Sequence, residues 1–377
     1  MSAPAPKSRP SVLRRLTVVL ATTLVALVLL EVGWRVFMPR SEYRMWTTRI
    51  AWAGDTIEVT KGGGRLLRVQ QPAPELAGIR GVFRPGVEFA LCYDLAGREP
   101  WGSMDAEGCV TTTINAEGFR GDFPPRERVP GRKRIVVVGD SMTFGHGVGD
   151  GQAWPFMLNE VDPNDTPLEV VNLAAPGYDV RDCAIALDGV GLGFQPDLVL
   201  YGFYQNDLFV GSELGMQAGL GGGPGGEQVN LEDGPVGWSR VIDSLKSAAS
   251  RREKSARIQS IYAQLVAEGS EDFEAWKEPF LQMASSAKRA GVPFALVLIP
   301  ELTNLENEPE DLPLAGVYDR VREVCAEADV PVVEVFGAWQ GLSASDLWVH
   351  PLDHHPGPDA HAAAAEWILP QLDRWLR

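Results

Sequence analysis

Five short runs of β-branched and aliphatic residues, most of them followed by a stretch of helical character, constrain this chain more than any other feature. They are 134–139 (RIVVVG), 168–173 (LEVVNL), 197–201 (DLVLY), 293–299 (PFALVLI) and 331–336 (PVVEVF). A continuous apolar run without polar alternation is what a strand needs when both faces of its sheet are covered. Helical stretches at 180–191, 271–289 and 315–328 and a closing one at 358–377 lie between or after these runs. Strands alternating with helices predict a doubly wound α/β sandwich around a parallel sheet. Ligands of such sheets bind outside the carboxyl ends of the strands, so the residues that follow each run carry the functional information.

The first run ends in Gly139-Asp140-Ser141-Met142-Thr143-Phe144-Gly145. A serine leaving a strand tip into a loop or helix exposes its hydroxyl beside free backbone N–H groups, which suits a nucleophile. The tripeptide alone is also an ordinary turn. The second run leads into Asn172-Leu173-Ala174-Ala175-Pro176-Gly177, where Gly177 either brings a bare N–H to a substrate or simply turns the chain. The third leads into Gly202-Phe203-Tyr204-Gln205-Asn206-Asp207, where the Asn206 amide either donates to an oxyanion or caps its own turn.

Four of the five histidines fall in one segment before the last helix, His350-Pro-Leu-Asp353-His354-His355-Pro-Gly-Pro-Asp359-Ala-His361. In an extended segment Asp353 and His355, two apart, project to the same side, so the carboxylate can orient the imidazole. The competing use of such a cluster is zinc binding. Against it stand the absence of an HExxH pairing, cysteines placed elsewhere, and a serine that itself needs a histidine. The expectation is no metal and no cofactor.

Taken together, the ordered blocks GDSMTFGHGV, NLAAPGY, YGFYQNDL and DHHPGPDAH resemble the SGNH/GDSL hydrolase superfamily over roughly residues 134–376. The resemblance implies a flavodoxin-like three-layer α/β/α sandwich with a five-stranded parallel sheet. It implies Ser141 as nucleophile, Asp353 and His355 as its partners, and an oxyanion hole from the Ser141 N–H, the Gly177 N–H and the Asn206 side chain. The segment Asn115-Ala-Glu-Gly118-Phe119-Arg120 looks like a motif of membrane-anchored bacterial members. Two departures stand out. The usual Asp-x-x-His spacing puts Leu352 at the acid position, and Gly357 stands where an asparagine often follows His355 by two, with Ala360 where a glycine often precedes the second histidine. No G-x-S-x-G elbow occurs, which disfavours an α/β-hydrolase. The activity so implied is hydrolysis of carboxylic esters, acyl or acetyl, of an ester or acylated glycan substrate. The alternatives are an O-acyltransferase modifying a cell-surface polysaccharide, or a non-catalytic glycan-binding or assembly protein on the same fold.

The N-terminus bears on the compartment. Residues 16–37 are almost wholly apolar and reach the roughly 20 residues that cross a bilayer core. Lys7, Arg9, Arg14 and Arg15 precede them without an acidic residue, so residues 1–15 are expected in the cytoplasm and the remainder outside. A cleaved signal peptide is the rival, disfavoured because Leu-Leu-Glu-Val-Gly-Trp is a poor cleavage site. Net charge is −16, which argues against nucleic acid as a partner. Residues 41–130 read as a small irregular β-containing region ahead of a hydrolase domain at 131–377. A Gly-rich insertion near 211–237 reads as a disordered loop or a lid, and Arg251, Arg252, Lys254 and Arg257 as a solvated face. Cys92 and Cys109 either close a short loop, which requires an oxidising compartment, or are two buried thiols. Cys183 and Cys325 are expected as buried thiols in core helices. Oligomeric state is not legible.

Overall fold

The computed structural model describes residues 12–37, 47–52, 55–60, 70–95, 97–159, 168–210, 256, 259–351 and 353–376. The expected Gly-rich insertion, the basic cluster at 251–257 and Leu352 lie outside them. The chain divides into two compact units, 1–42 with 230–257 and 43–229 with 258–377.

In the first unit the helix Val12–Phe37 contains the window Leu16–Gly33 of mean hydropathy 2.3. It is long and apolar enough to cross a membrane. Its side chains from Leu16 to Leu30 are exposed, and the Thr22 hydroxyl donates to the Val18 carbonyl at 3.0 Å. That polar group is thus satisfied within the helix, as an apolar surrounding demands.

The second unit is built on the parallel sheet that the apolar runs predict. Its strands are β7 (Lys133–Gly139), β8 (Leu168–Asn172), β9 (Leu198–Phe203), β10 (Phe294–Leu298) and β11 (Val332–Glu334), in the order β11-β10-β9-β7-β8. This is flavodoxin-type order, with the switch point between β7 and β9. The helices Val180–Gly189, Glu271–Arg289, Ala315–Glu327 and Pro358–Leu376 cover its faces. Two of the starts are chemically explicit. Asp179 and Asp182 form a capping box, and Ser270 caps a first turn carrying Glu271, Asp272 and Glu274.

Strand ends differ from the sequence runs for local reasons. β11 is shorter than 331–336, because Val335 still donates to the Leu298 carbonyl at 3.2 Å but turns to φ −102°, ψ −19° and opens the helical turn Phe336–Trp339. β9 runs on to Phe203, pairing Gly202 with Gly139 on β7. A Cβ on Gly202 would stand 2.0 Å from Thr143 Oγ1, and one on Gly139 2.5 Å from it. The two glycines therefore let the turn after β7 fold back onto the sheet.

Residues ahead of β7 carry more order than an irregular region. β1 (Thr47–Trp52), β2 (Asp55–Thr60), β5 (Glu88–Cys92) and β6 (Cys109–Thr113) form an antiparallel sheet, β2-β1-β5-β6, and β3 (Gln70–Gln71) pairs with β4 (Val82–Phe83). Phe83, Phe89, Leu91, Val110, Ile114 and Phe119 belong to the same buried cluster as Ile135–Val138 of β7. Phe83 stacks on both Phe89 and Phe144, at 5.6 and 5.4 Å between centroids. The described part of the β-containing segment thus shares one core with the parallel sheet.

Cys92 and Cys109 sit directly opposite each other across β5 and β6 and form a disulfide; Cys183 and Cys325 are buried free thiols. A loop of 17 residues closed in this way is worth about 3 kcal/mol through the unfolded state. Urea unfolding with and without reductant is expected to show a loss of that size. Unchanged midpoints would count against it.

Candidate active site

Ser141 opens the helical turn Ser141–Phe144 directly after β7. Asp140, fully buried, caps that turn by accepting from the Met142 N–H at 2.9 Å. A cap of this kind fixes the direction in which the next side chain leaves the strand. The Ser141 hydroxyl consequently faces β13 (Asp353–Pro356), one arm of a hairpin with β12 (Trp348–His350). Ser141 Oγ lies 2.9 Å from His355 Nε2, and His355 Nδ1 lies 2.5 Å from Asp353 Oδ1. Extended geometry puts Asp353 and His355 on one side, as their spacing predicts. Asp353 also accepts from the His355 N–H at 3.2 Å, which locks the pair locally. The Asp-x-His spacing thus brings the carboxylate within hydrogen-bond reach of the ring.

The other histidines of the segment are used elsewhere. His354 is exposed and stacks on Trp348, with centroids 3.8 Å apart. His350 is buried, its Nε2 3.1 Å from the Asp94 carbonyl and its ring between Tyr93 and Trp101. His361 is buried, and its Nδ1 accepts from the Trp154 N–H at 3.2 Å.

The expected oxyanion donors reach the same edge of the sheet. Gly177 has φ +84°, and the N–H groups of Ser141 and Gly177 have no hydrogen-bond partner among the described residues. Asn206, in the short helical turn after β9, lies near enough to the Asp140 carboxylate to favour its charged form, while its Oδ1 is buried without a hydrogen-bond partner in the described residues. Asn172 ties the first block to the second, its amide donating to the Thr143 carbonyl at 3.1 Å and its Oδ1 accepting from the Ala174 N–H.

Charge follows from burial and pairing. For Asp353, burial pushes the carboxyl up, but the charge and hydrogen bond of His355, with the Tyr93 hydrogen bond beyond, hold it well below the usual carboxylate range. For His355, burial pulls the imidazole down, and the neighbouring charges of Asp353 and Asp140 outweigh it, so its pKa is raised. Asp140 is raised by burial, although the hydrogen bonds from Met142 and Asn206 oppose this. The arrangement is a hydroxyl facing an imidazole whose far nitrogen faces an anion, beside free N–H donors. That set can deprotonate a hydroxyl and hold a developing oxyanion.

Four participants were not singled out from the sequence. His146, the fifth histidine, lies in the GDSMTFGHGV block. Its Nε2 is 3.7 Å from Asp353 Oδ2 and its ring 4.5 Å from that of His355. Burial and the neighbouring His355 push it down to about 3, so it stands there neutral. His146, Asp353 and His355 bring donor atoms within 4.8 Å of one another, but Asp353 and His355 spend their facing atoms on each other. Arg80 hydrogen-bonds the Gly177 carbonyl and pairs with Asp179 and Asp182. Arg120 is fully buried and donates to the carbonyls of Phe144, Gly145 and Val148. Tyr93 Oη donates to Asp353 Oδ2 at 2.8 Å. Only Arg120 had a visible signal, the Asn115–Arg120 segment, in which Asn115 organises the turn by accepting from Glu117 and Phe119 N–H.

Among solved structures, the chain is similar to TesA at 17% identity, covering 64% of this chain and 99% of that one, TM-score 0.40. It is also similar to the acetylxylan esterase Axe2 from Geobacillus stearothermophilus, in a catalytic mutant, at 15% identity over 65% and 96% of the two chains, TM-score 0.40. A third is the psychrotrophic esterase EstA from Pseudoalteromonas sp., at 13% identity over 65% and 98%, TM-score 0.37. No curated protein matches the chain. The profile of the GDSL-like Lipase/Acylhydrolase family matches residues 137–363, which hold the Ser141 turn and the three blocks after it, the last with Asp353 and His355. That match spans more than half of the chain, so the protein belongs to the GDSL-like lipase/acylhydrolase family and is a hydrolase acting on ester bonds.

Proposed function

We propose that the protein is a membrane-anchored serine esterase, hydrolysing acyl or acetyl esters outside the membrane through Ser141, His355 and Asp353. The observation that carries this reading is the unbroken chain from Ser141 Oγ to His355 Nε2 at 2.9 Å and from His355 Nδ1 to Asp353 at 2.5 Å. His355 takes the hydroxyl proton as Ser141 Oγ attacks the ester carbonyl. Asp353 orients the ring and stabilises the imidazolium. The tetrahedral oxyanion is met by the N–H groups of Ser141 and Gly177 and by the Asn206 amide. The imidazolium then protonates the leaving alkoxide, and water repeats the sequence on the acyl-enzyme.

Two features support the placement outside the membrane. Lys7, Arg9, Arg14 and Arg15 precede the apolar helix, which favours a cytoplasmic N-terminus. The Cys92–Cys109 bond suits an oxidising compartment. A fluorophosphonate probe tests the nucleophile. It is expected to label the full-length protein in detergent and to fail on Ser141→Ala and His355→Ala. Persistent labelling of Ser141→Ala would rule out this assignment.

The pH dependence has a definite sign. His355 must be neutral to act as base, and its pKa is raised above the ordinary 6.5. Activity is therefore low while the imidazolium persists and rises as pH passes through the raised value. The acid limb of kcat/KM on a short-chain aryl ester, followed between about pH 5 and 9, is expected to have its midpoint above that of a free histidine. A midpoint at or below the ordinary value would count against His355 as the base.

A further inference from the structure

Tyr93 lies outside the residues that match the family profile, yet its hydroxyl meets the acid of the proposed triad. Asp353 is 3% exposed. Its Oδ1 is taken by His355, through the ring at 2.5 Å and the backbone N–H at 3.2 Å. Its Oδ2 has His146 Nε2 at 3.7 Å, beyond hydrogen-bond range, and Tyr93 Oη at 2.8 Å. The terminal torsion of an aspartate is broad, so a carboxylate held at one oxygen swings readily. A second donor at the other oxygen fixes the plane of the group and with it the ring of His355.

Tyr93 is itself held. It follows β5 directly, one residue beyond the Cys92–Cys109 bond, and its N–H donates to the Gly108 carbonyl at 2.9 Å. Its ring stacks on His350 at 5.1 Å. The loop after the nucleophile turn closes over the hydroxyl so tightly that a Cβ on Gly147, at φ +81°, would stand 2.6 Å from Tyr93 Oη. Burial, with the adjacent Asp353 charge, keeps the phenol protonated far past neutral pH, so it remains a donor wherever the enzyme works.

We propose that Tyr93 is a positioning residue of the active site: the accessory β-sheet supplies the hydrogen bond that sets the orientation and basicity of Asp353. The proposal rests on the triad reading above. Besides Tyr93, the titratable groups facing the Asp353–His355 pair are Asp140, His146, His350, His354 and His361. None of them is altered in the test.

The test is Tyr93→Phe in the full-length protein in detergent, assayed on a short-chain aryl ester beside wild type and Ser141→Ala. The ring and its stacking stay; only the hydroxyl goes. kcat is expected to fall about 10–100-fold with KM within about twofold, as for a catalytic group misplaced by a fraction of an ångström. A carboxylate without its donor is more basic and holds the imidazolium more tightly, so the acid limb moves to higher pH. Unchanged kcat and an unchanged limb, with Ser141→Ala inert, would overturn the proposal and leave the triad standing. Activity surviving in Ser141→Ala would sink the triad itself. Should Tyr93→Phe not fold, 3-fluorotyrosine at position 93 decides the matter. This residue keeps the hydroxyl as a stronger donor, so the limb is expected to move to lower pH, and an unmoved limb would refute the role.

Discussion

Ser141→Ala is expected to lower turnover of a short-chain aryl ester by on the order of 10⁶-fold, while binding of the ester changes little. The reason lies in the geometry. Ser141 Oγ is the group in line with His355 Nε2, at 2.9 Å. Removing it leaves the imidazole nothing to deprotonate but water, and only binding and the oxyanion donors remain to assist hydrolysis. The same argument predicts strong non-additivity. His355→Ala alone is expected to cost about as much as Ser141→Ala, and the double variant scarcely more, because the two act as one unit. Asp353→Asn is expected to cost about 10⁴-fold, since an amide neither holds the right tautomer nor balances the imidazolium. These figures come from kcat/KM on one substrate across the four proteins. Additive losses in the double variant would mean that serine and histidine work independently and that the chain of contacts is not catalytic.

Arg120→Met is expected to destabilise the fold by about 3–5 kcal/mol, because three buried carbonyls lose their donor at roughly 1–3 kcal/mol each, partly recovered by rearrangement. The Arg120 side chain is fully buried and donates to three carbonyls, Phe144, Gly145 and Val148, with Asp150 3.3 Å away as its partly exposed counter-charge. Burial lowers its pKa to about 10, which leaves it charged at neutral pH. Methionine restores the volume but none of the donors, so three carbonyls at the end of the nucleophile's turn lose their partner. Lysine restores the charge but not the fork, and is expected to recover only part of the loss. Because the turn carries Ser141, kcat is expected to fall with stability. Denaturant unfolding of both variants checks the first expectation; a loss under about 1 kcal/mol for methionine would show that solvent or rearrangement satisfies those carbonyls.

The two cases show where the sequence was readable. The sheet was legible because every central strand is buried on both faces and must be written as an uninterrupted apolar run. Ser141 was legible because it stands at the end of such a run, and Asp353 with His355 because two residues in an extended segment share a side. Strand ends were less legible. β9 continues through Gly202, which looks like a breaker until Thr143 is seen packed against it. Tyr93, Arg80 and His146 were not legible as parts of a site. The Tyr93–Asp353 bond spans 260 residues and the Arg80–Asp179 bond 99, and no local pattern specifies a pairing at such separation.

Residues 41–130 mark the division most clearly. Their glycines, prolines and short apolar runs announce an irregular β-containing stretch, in which only the segment from Asn115 to Arg120 stands out as a motif. Packed against the sheet, the described part of that stretch holds the Gly177 loop through Arg80, Asp353 through Tyr93 and the turn after β7 through Arg120. The sequence by itself determined the parallel sheet, the apolar N-terminal helix and the order of the blocks that carry Ser141, Gly177, Asn206, Asp353 and His355, because each is encoded in contiguous residues by periodicity and local turn chemistry. Only the tertiary structure decided that Cys92 and Cys109 are joined, that Tyr93 and Arg80 reach the site, and that the β-segment braces it. Those outcomes depend on which side chains meet across the closed core, and burial makes each such contact exclusive.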